Sequence, residues 1–198
     1  LPALWLVLVL LQSDVVGVGP HPARTPITTT LARCCGSPLP MTMEPSVRVL
    51  GPADVGTLRS LLTVFADAFE DPERYLERQP SDPYLHELLS RGMFLAVVAE
   101  AGTRVVGGLT GYVLPKFEQA CREFYLYDLA VAHDHRRQGV ATALIERLKT
   151  LAAERGLDGI FVQAHRDDGP AIALYSRLGV GEDVLHFDIA PEGTGPCN

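Results

Sequence analysis

Asp128-Leu-Ala-Val131, then Arg136-Arg-Gln-Gly139-Val-Ala141-Thr142, then the run Ala143 to Ala153 is the stretch that decides the fold. A strand enters a short basic turn, and the turn opens directly into a helix. The first N–H groups of a helix have no partner within it, so this arrangement presents donors and a positive dipole end to whatever lies above. Gly139 lets a bulky anion approach the backbone, and Ala141 keeps the following step small. Arg136 and Arg137 add positive charge where the dipole is already positive, and Val140, Leu144, Leu148 and Leu151 recur at three- and four-residue intervals that fix the helix against a sheet. Two readings stay open on these residues alone: a diphosphate site, or an ordinary strand-to-helix connection with its arginines in solvent.

Further along, Asp168-Gly-Pro-Ala171-Ile-Ala-Leu174-Tyr175-Ser-Arg-Leu-Gly179 reads as a helix with Pro170 in its first turn and Gly179 as C-cap. The two segments together resemble the GCN5-related N-acetyltransferase (GNAT) superfamily. Its acetyl-CoA motif is Arg or Gln, two residues, Gly, one residue, Gly or Ala, and Arg136, Gly139 and Ala141 fall on those positions. The second family segment maps onto Asp168, Ala171, Leu174, Tyr175 and Gly179, with Asp168 standing where the family usually has Asn. Within the superfamily, Tyr112 to Gln119, Tyr125 to Val131, His135 to Gly139, Ala171 to Tyr175 and His186 to Ile189 look like bacterial aminoglycoside 3-N-acetyltransferases of gentamicin resistance, a likeness covering Arg48 to Asp188.

The composition fits one domain. The chain has 198 residues, 47% of them hydrophobic, enough for one core. Residues 1–43 differ from the rest: an apolar run, Leu1 to Leu11, precedes a Gly-, Pro- and Thr-rich stretch without periodicity. That run lacks a basic flank and is too short to span a bilayer. It reads either as a translated leader, with Met41 or Met43 as the start, or as a targeting segment; both predict largely disordered or loosely helical chain. We therefore expect a leader over 1–43, the domain over 44–190 and a flexible tail over 191–198. Residues 44–198 hold 15 of the 17 Lys and Arg and 23 of the 24 Asp and Glu, a net charge of −8, which argues against nucleic acid and suits a cationic small molecule. Cys34, Cys35, Cys121 and Cys197 give neither a metal spacing nor a disulfide framework, so no metal is expected, and Cys121 reads as a bystander. With no span either, a cytoplasmic protein without membrane association is expected.

Apolar periodicity predicts a strand over Val47 to Leu50 and a helix carrying Leu58, Leu61, Leu62, Phe65 and Phe69. A second helix follows the Ser81 N-cap, and strands Phe94 to Glu100 and Val105 to Leu114 form a hairpin. Then come a strand from Glu123 to Val131, the long helix, a strand from Gly159 to Ala164, the Ala171 to Leu178 helix and a closing strand, Val184 to Ile189. The class is α/β, a mixed and mostly antiparallel sheet with helices on both faces. The resemblance implies a splay between the strands carrying Leu129 and Ile160.

Acetyl transfer from a thioester to an amine requires amine deprotonation, oxyanion stabilisation and a tolerated or reprotonated thiolate. The resemblance implies acetyl-CoA as cosubstrate. It places the pyrophosphate on the backbone of Arg136, Arg137, Gln138, Gly139, Val140, Ala141 and Thr142, and the pantetheine along Leu129, Ala130 and Val131, with Asp168, Ala171 and Tyr175 nearby. It also assigns Tyr175 the proton for the thiolate; from helix position alone Tyr175 is equally a core aromatic. For the base, Asp128 is the first choice and Glu123 the second. Strand alternation puts these two on opposite faces unless a bulge intervenes, and Asp128 could instead only attract a cation. Glu118, Asp128, Asp167, Asp168 and Asp188 are candidates for a negative funnel toward a polycation. The function implied is transfer to the 3-amino group of the 2-deoxystreptamine ring. The alternatives are another small amine, a polyamine or a protein N-terminus as acceptor, or a non-catalytic acetyl-CoA-binding module. The family is often dimeric, so a homodimer stands beside a monomer.

Overall fold

The computed structural model describes residues 45–187 together with 189 and 192, so the expected leader over 1–43, Asp188 and all but residue 192 of the expected tail lie outside the described residues. Five strands form one sheet in chain order: β1 (Ser46–Val49), β2 (Phe94–Ala101), β3 (Arg104–Pro115), β4 (Arg122–Val131) and β5 (Gly159–Val162). Neighbours pair antiparallel except β4 and β5, which are parallel. A parallel pair needs a crossover, and helix α3 (Val140–Glu154) supplies it.

Helices α1 (Val55–Phe69) and α2 (Asp82–Ser90) cover one face of the sheet, where Leu58, Leu61, Phe65, Leu85 and Leu89 pack with Phe94, Ala96, Val98 and Ala130. On the other face α3 and α4 (Gly169–Tyr175) bury Leu144, Leu148 and Leu174 against Val97, Leu109, Phe124, Leu126 and Leu129. Full burial of side chains such as Leu144 and Leu148 contributes about 1.5–3 kcal/mol each. The expected class and the expected strands and helices up to Tyr175 are therefore present, with ends displaced by a few residues.

Three elements differ from the sequence reading. Helix α4 ends at Tyr175 rather than Leu178; Gly179 still closes the last turn, its N–H donating to the Tyr175 carbonyl at 2.9 Å. The segment after Phe69 holds a single π-helical turn, Glu73–Glu77, which the helical periodicity did not reveal. Finally, Val184 to Phe187 forms no strand, and Leu185, Phe187 and Ile189 are 75%, 73% and 89% exposed. Alternation along a segment names the face it would bury but supplies no neighbour, and a strand exists only once its backbone groups are paired.

Candidate active site

The basic turn has the geometry its residues suggest. Arg136 is extended, Arg137 sits at φ 64° and Gly139 at φ 83°, and α3 begins at Val140. Left-handed residues in such a turn bend successive N–H groups into one concavity, a preformed anion nest, and the first turn of α3 adds the N–H groups of Val140, Ala141 and Thr142. Side chains brace the nest from behind: Arg136 Nε donates to the Val131 carbonyl at 3.1 Å, and Gln138 Nε2 donates to the Asp134 carbonyl at 2.9 Å. Arg136 is therefore tied to the end of β4 rather than free in solvent, and burial lowers its pKa. A cleft of about 610 Å³ opens above the turn and runs to Gly169, Pro170, Ala173 and Arg177 of the α4 region.

A Cβ on Gly139 would meet no atom within 4 Å, so Gly139→Ala is strained only through its dihedral angle, a cost of about 1–2 kcal/mol. Relief by turning the N–H groups away should weaken coenzyme A binding roughly ten-fold while the melting temperature falls by only a few degrees. Calorimetric titration of coenzyme A checks this, and an unchanged affinity would remove the turn from the binding site.

Beside the nest, β4 and β5 part. Their pairing covers only Glu123↔Gly159 to Leu126↔Val162, after which β4 continues to Val131 with β3 on its other edge. The expected splay is there, with Leu129, Ala130 and Val131 along its wall. Tyr175, on the last turn of α4, packs against the same core, and its hydroxyl is buried without a hydrogen-bond partner among the described residues. Burial, reinforced by the Asp168 charge, pushes this phenol above its ordinary range, so it stays protonated and can donate. An orphaned buried donor beside an open cleft and an anion nest is what a thioester of a nucleoside diphosphate would complete. Asp168, 4% exposed, accepts from the Ala171 N–H at 2.9 Å, capping α4 as an Asn there would.

The opposite face of β4 carries the carboxylate. Register between β3 and β4 shifts from Thr110↔Asp128 to Gly111↔Leu126, leaving Tyr127 unpaired as a β-bulge. Phe124, Leu126, Leu129 and Val131 face α3, whereas Ala130 packs with α1. The extra residue therefore brings both Tyr127 and Asp128 to the α1 side, on the same face as Glu123 and Tyr125. The condition set by strand alternation is met, yet Glu123 stays at the far end of β4, paired with Lys116 at 3.3 Å.

Asp128 accepts a hydrogen bond from the Tyr75 hydroxyl at 3.3 Å and another from Thr110. Burial raises its pKa to about 6, opposed by the Arg74 charge and by these two hydrogen bonds. A carboxylate in that range suits proton abstraction near neutral pH. Sequence reasoning missed Tyr75, Thr110 and Arg74. The only signal was an aromatic one turn past Pro72, where α1 has already ended.

The remaining acidic candidates do not converge on Asp128. Glu118 pairs with Lys116 at 3.1 Å, and a backbone hydrogen bond together with that lysine lowers its pKa, while Asp167 lies exposed at 3.3 Å from His165. Cys121 is the only free cysteine among the described residues; a hydrogen bond with Asp158 raises its pKa, the opposite of nucleophile activation. No group of three metal-ligating side chains occurs among the described residues, and none of their helices is long and apolar enough to cross a membrane.

A family model described as the acetyltransferase (GNAT) family matches residues 58–180, which contain the nest, the splay and α4. The chain belongs to the GNAT family. GNAT acetyltransferases generally use acetyl-CoA, for which the nest and the Tyr175 hydroxyl are suited. Solved GNAT structures similar to it include aminoglycoside acetyltransferase HMB0005 from an uncultured soil metagenomic sample, 51% identical with a TM-score of 0.74, covering 76% of this chain and 100% of that one. Another is aminoglycoside acetyltransferase meta-AAC0020, also from an uncultured soil metagenomic sample and in complex with sisomicin. It is 29% identical with a TM-score of 0.69, covering 75% and 97%. Among curated relatives, the ribosomal protein bS18 alanine N-acetyltransferase of Escherichia coli K12 is 33% identical over 73 residues, 37% of this chain and 49% of that protein. N-acetyltransferase 8B of Rattus norvegicus is 31% identical over 90 residues, 46% and 40%. The chain spans about half or less of these two curated relatives.

Proposed function

We propose that this GNAT chain transfers acetyl from acetyl-CoA directly to an amino group of an aminoglycoside, at the 3-amino group of the 2-deoxystreptamine ring, and so protects against gentamicin-type antibiotics. The observation that carries the reading is the division of labour across β4. The nest and Tyr175 lie on the α3 side, Asp128 lies on the α1 side, and the gap left by β5 joins them. A donor and a polycationic acceptor can therefore enter from opposite faces. The 51% identity to an aminoglycoside acetyltransferase supports the choice of acceptor.

In this reading Asp128 takes a proton from the acceptor ammonium, and the freed nitrogen forms the new bond to the acetyl carbon. Tyr175 gives its proton to the sulfur as the carbon–sulfur bond breaks and recovers one from the nitrogen, whose second proton is lost as the neutral amide forms. Backbone N–H groups around Leu129 to Val131 hold the carbonyl oxygen, a contribution of about 3 kcal/mol for a well-aimed donor. Asp168, Ala171 and the first turn of α3 hold the cosubstrate in place. The acidic balance of the domain favours encounter with a polycation, with Glu118, Asp167 and Glu123 acting at a distance and not through contact.

The test is thiol release from acetyl-CoA with gentamicin, sisomicin, spermidine and an alanine-terminated peptide offered in parallel, followed by NMR assignment of the acetylated nitrogen. Turnover confined to the aminoglycosides with acetyl on the 3-amino group is expected. Preference for the peptide, as the ribosomal-protein acetyltransferase likeness would favour, overturns the acceptor assignment. Tyr175→Phe should lower kcat about 10- to 100-fold with the KM for acetyl-CoA nearly unchanged, because it removes a proton and not a binding surface. Equal loss in both parameters would make Tyr175 a packing residue.

A further inference from the structure

The sheet face that carries Asp128 also carries a row of aromatic rings that the transfer chemistry leaves unused. Phe94, Tyr112, Tyr125 and Phe161 stand at matched positions on β2, β3, β4 and β5. Tyr127, displaced by the bulge, wedges between two of them. Successive ring centroids are 5.5 Å apart from Phe94 to Tyr112, then 5.6 Å to Tyr127, 5.6 Å to Tyr125 and 5.0 Å to Phe161, the last pair stacked at 11°. The three strands β3 to β5 span about 10 Å. That is roughly the length of two linked six-membered rings.

The row is not a buried core. Phe94 is covered by α2, but Tyr112 is 38% and Phe161 41% exposed, far from the near-zero values of the opposite face. Tyr125 is held flat by its hydroxyl donating to Gln163 Oε1 at 3.0 Å. Burial, reinforced by the Asp128 charge, pushes the phenols of Tyr112, Tyr125 and Tyr127 above their ordinary range. A carboxylate thus flanks the row beside Tyr127, and the row itself offers ring faces with phenol edges toward Phe161. That pattern fits a cationic amine attached to a body of flat, CH-faced rings, because CH groups and ammonium groups are both attracted to aromatic faces. A linear polyamine or a peptide end would use the carboxylate and leave Phe161 untouched.

We propose that the row from Tyr112 through Tyr127 and Tyr125 to Phe161 is a platform for the acceptor's body and sets a preference for multi-ring amines over single-ring and linear ones. This rests on the aminoglycoside reading and deepens it. The charge complementarity is with Asp128, and the commitment is to a cyclitol amine bearing at least one further sugar ring.

The experiment compares the wild type with Phe161→Ala and Phe161→Tyr. For each, the dissociation constants of gentamicin, 2-deoxystreptamine alone and spermidine are measured by calorimetry with coenzyme A present, and acetylation kinetics are measured on the same acceptors. Wild type should bind gentamicin at least ten-fold more tightly than 2-deoxystreptamine. Phe161→Ala should weaken gentamicin about ten-fold, raising KM with kcat kept, and leave 2-deoxystreptamine and spermidine unchanged, while Phe161→Tyr restores wild-type values. Equal effects on all three ligands, or a lower melting temperature with no change in gentamicin affinity, overturn the platform; the second result would mean that Phe161 packs against the chain itself. Binding that follows ring number without acetyl transfer to any of the three would sink the aminoglycoside reaction and leave the platform standing.

Discussion

Asp128→Asn should lower kcat/KM by about 10²- to 10⁴-fold at neutral pH while the protein itself becomes more stable. Both halves follow from one property. Burial raises the Asp128 carboxyl to about 6, from 3.8 for the unperturbed group, so the ionised form that accepts a proton is disfavoured by the fold. The sign runs from the folded state: because folding raises the pKa, the protonated acid is favoured in full below about pH 4, and that stabilisation disappears as pH rises through 6. Ionised Asp128 therefore costs the native state about 2–3 kcal/mol above pH 7. Asn keeps an oxygen for the Tyr75 hydroxyl but carries no charge, so its melting temperature at pH 8 should exceed that of the wild type by about 5–10 °C, with little difference at pH 4. In the wild type, kcat/KM should climb with pH through an apparent pKa near 6. An unchanged acid limb in Asp128→Asn would remove Asp128 from the chemistry.

Gly111→Ala should lower stability by about 3 kcal/mol, or roughly 6–12 °C in melting temperature. Gly111 sits opposite the bulge, paired with Leu126, and a Cβ there would lie 2.2 Å from the Tyr125 carbonyl oxygen and 2.4 Å from the Phe124 ring. Neither can retreat: the first is backbone within the sheet, and the second is a fully buried ring locked beneath α3. Gly56→Ala is the contrast, since nothing lies within 4 Å of its Cβ in α1, and a small gain of about 0.5–1 kcal/mol is expected. Thermal melts of both variants decide the matter. Equal behaviour of the two would mean that the bulge relaxes to make room.

What the sequence discloses and what it hides follow the range of the interactions. The nest was legible because strand, turn and helix start are written in consecutive residues, and the helix dipole does the rest. Asp128 was legible as a residue but not as a site. Its hydrogen-bond partner Tyr75 lies 53 positions away, on a π-helical turn whose existence depends on how α1 ends above the sheet. The bulge is hidden for a different reason. It is a relation between β3 and β4, and simple alternation along Glu123 to Val131 assigns Asp128 to the wrong face. The expected closing strand failed in the same way over its described residues, Val184 to Phe187, through periodicity without a partner. Glu118, Asp167 and Asp168 were grouped by charge sign, and each has a local partner instead: Lys116, His165 and the Ala171 N–H.

The bulge at Tyr127 also makes chain length itself a carrier of function. Residues before it and after it obey opposite parities, so the meaning of every position from Asp128 to Val131 is set by one count. Straightening the bulge, so that β4 alternates regularly from Tyr125 onward, would leave its composition untouched. It would nevertheless turn the carboxylate toward Leu144 and Leu148 under α3 and expose Leu129 on the acceptor side. A frame of this kind tolerates many substitutions on either face, but it tolerates no slip.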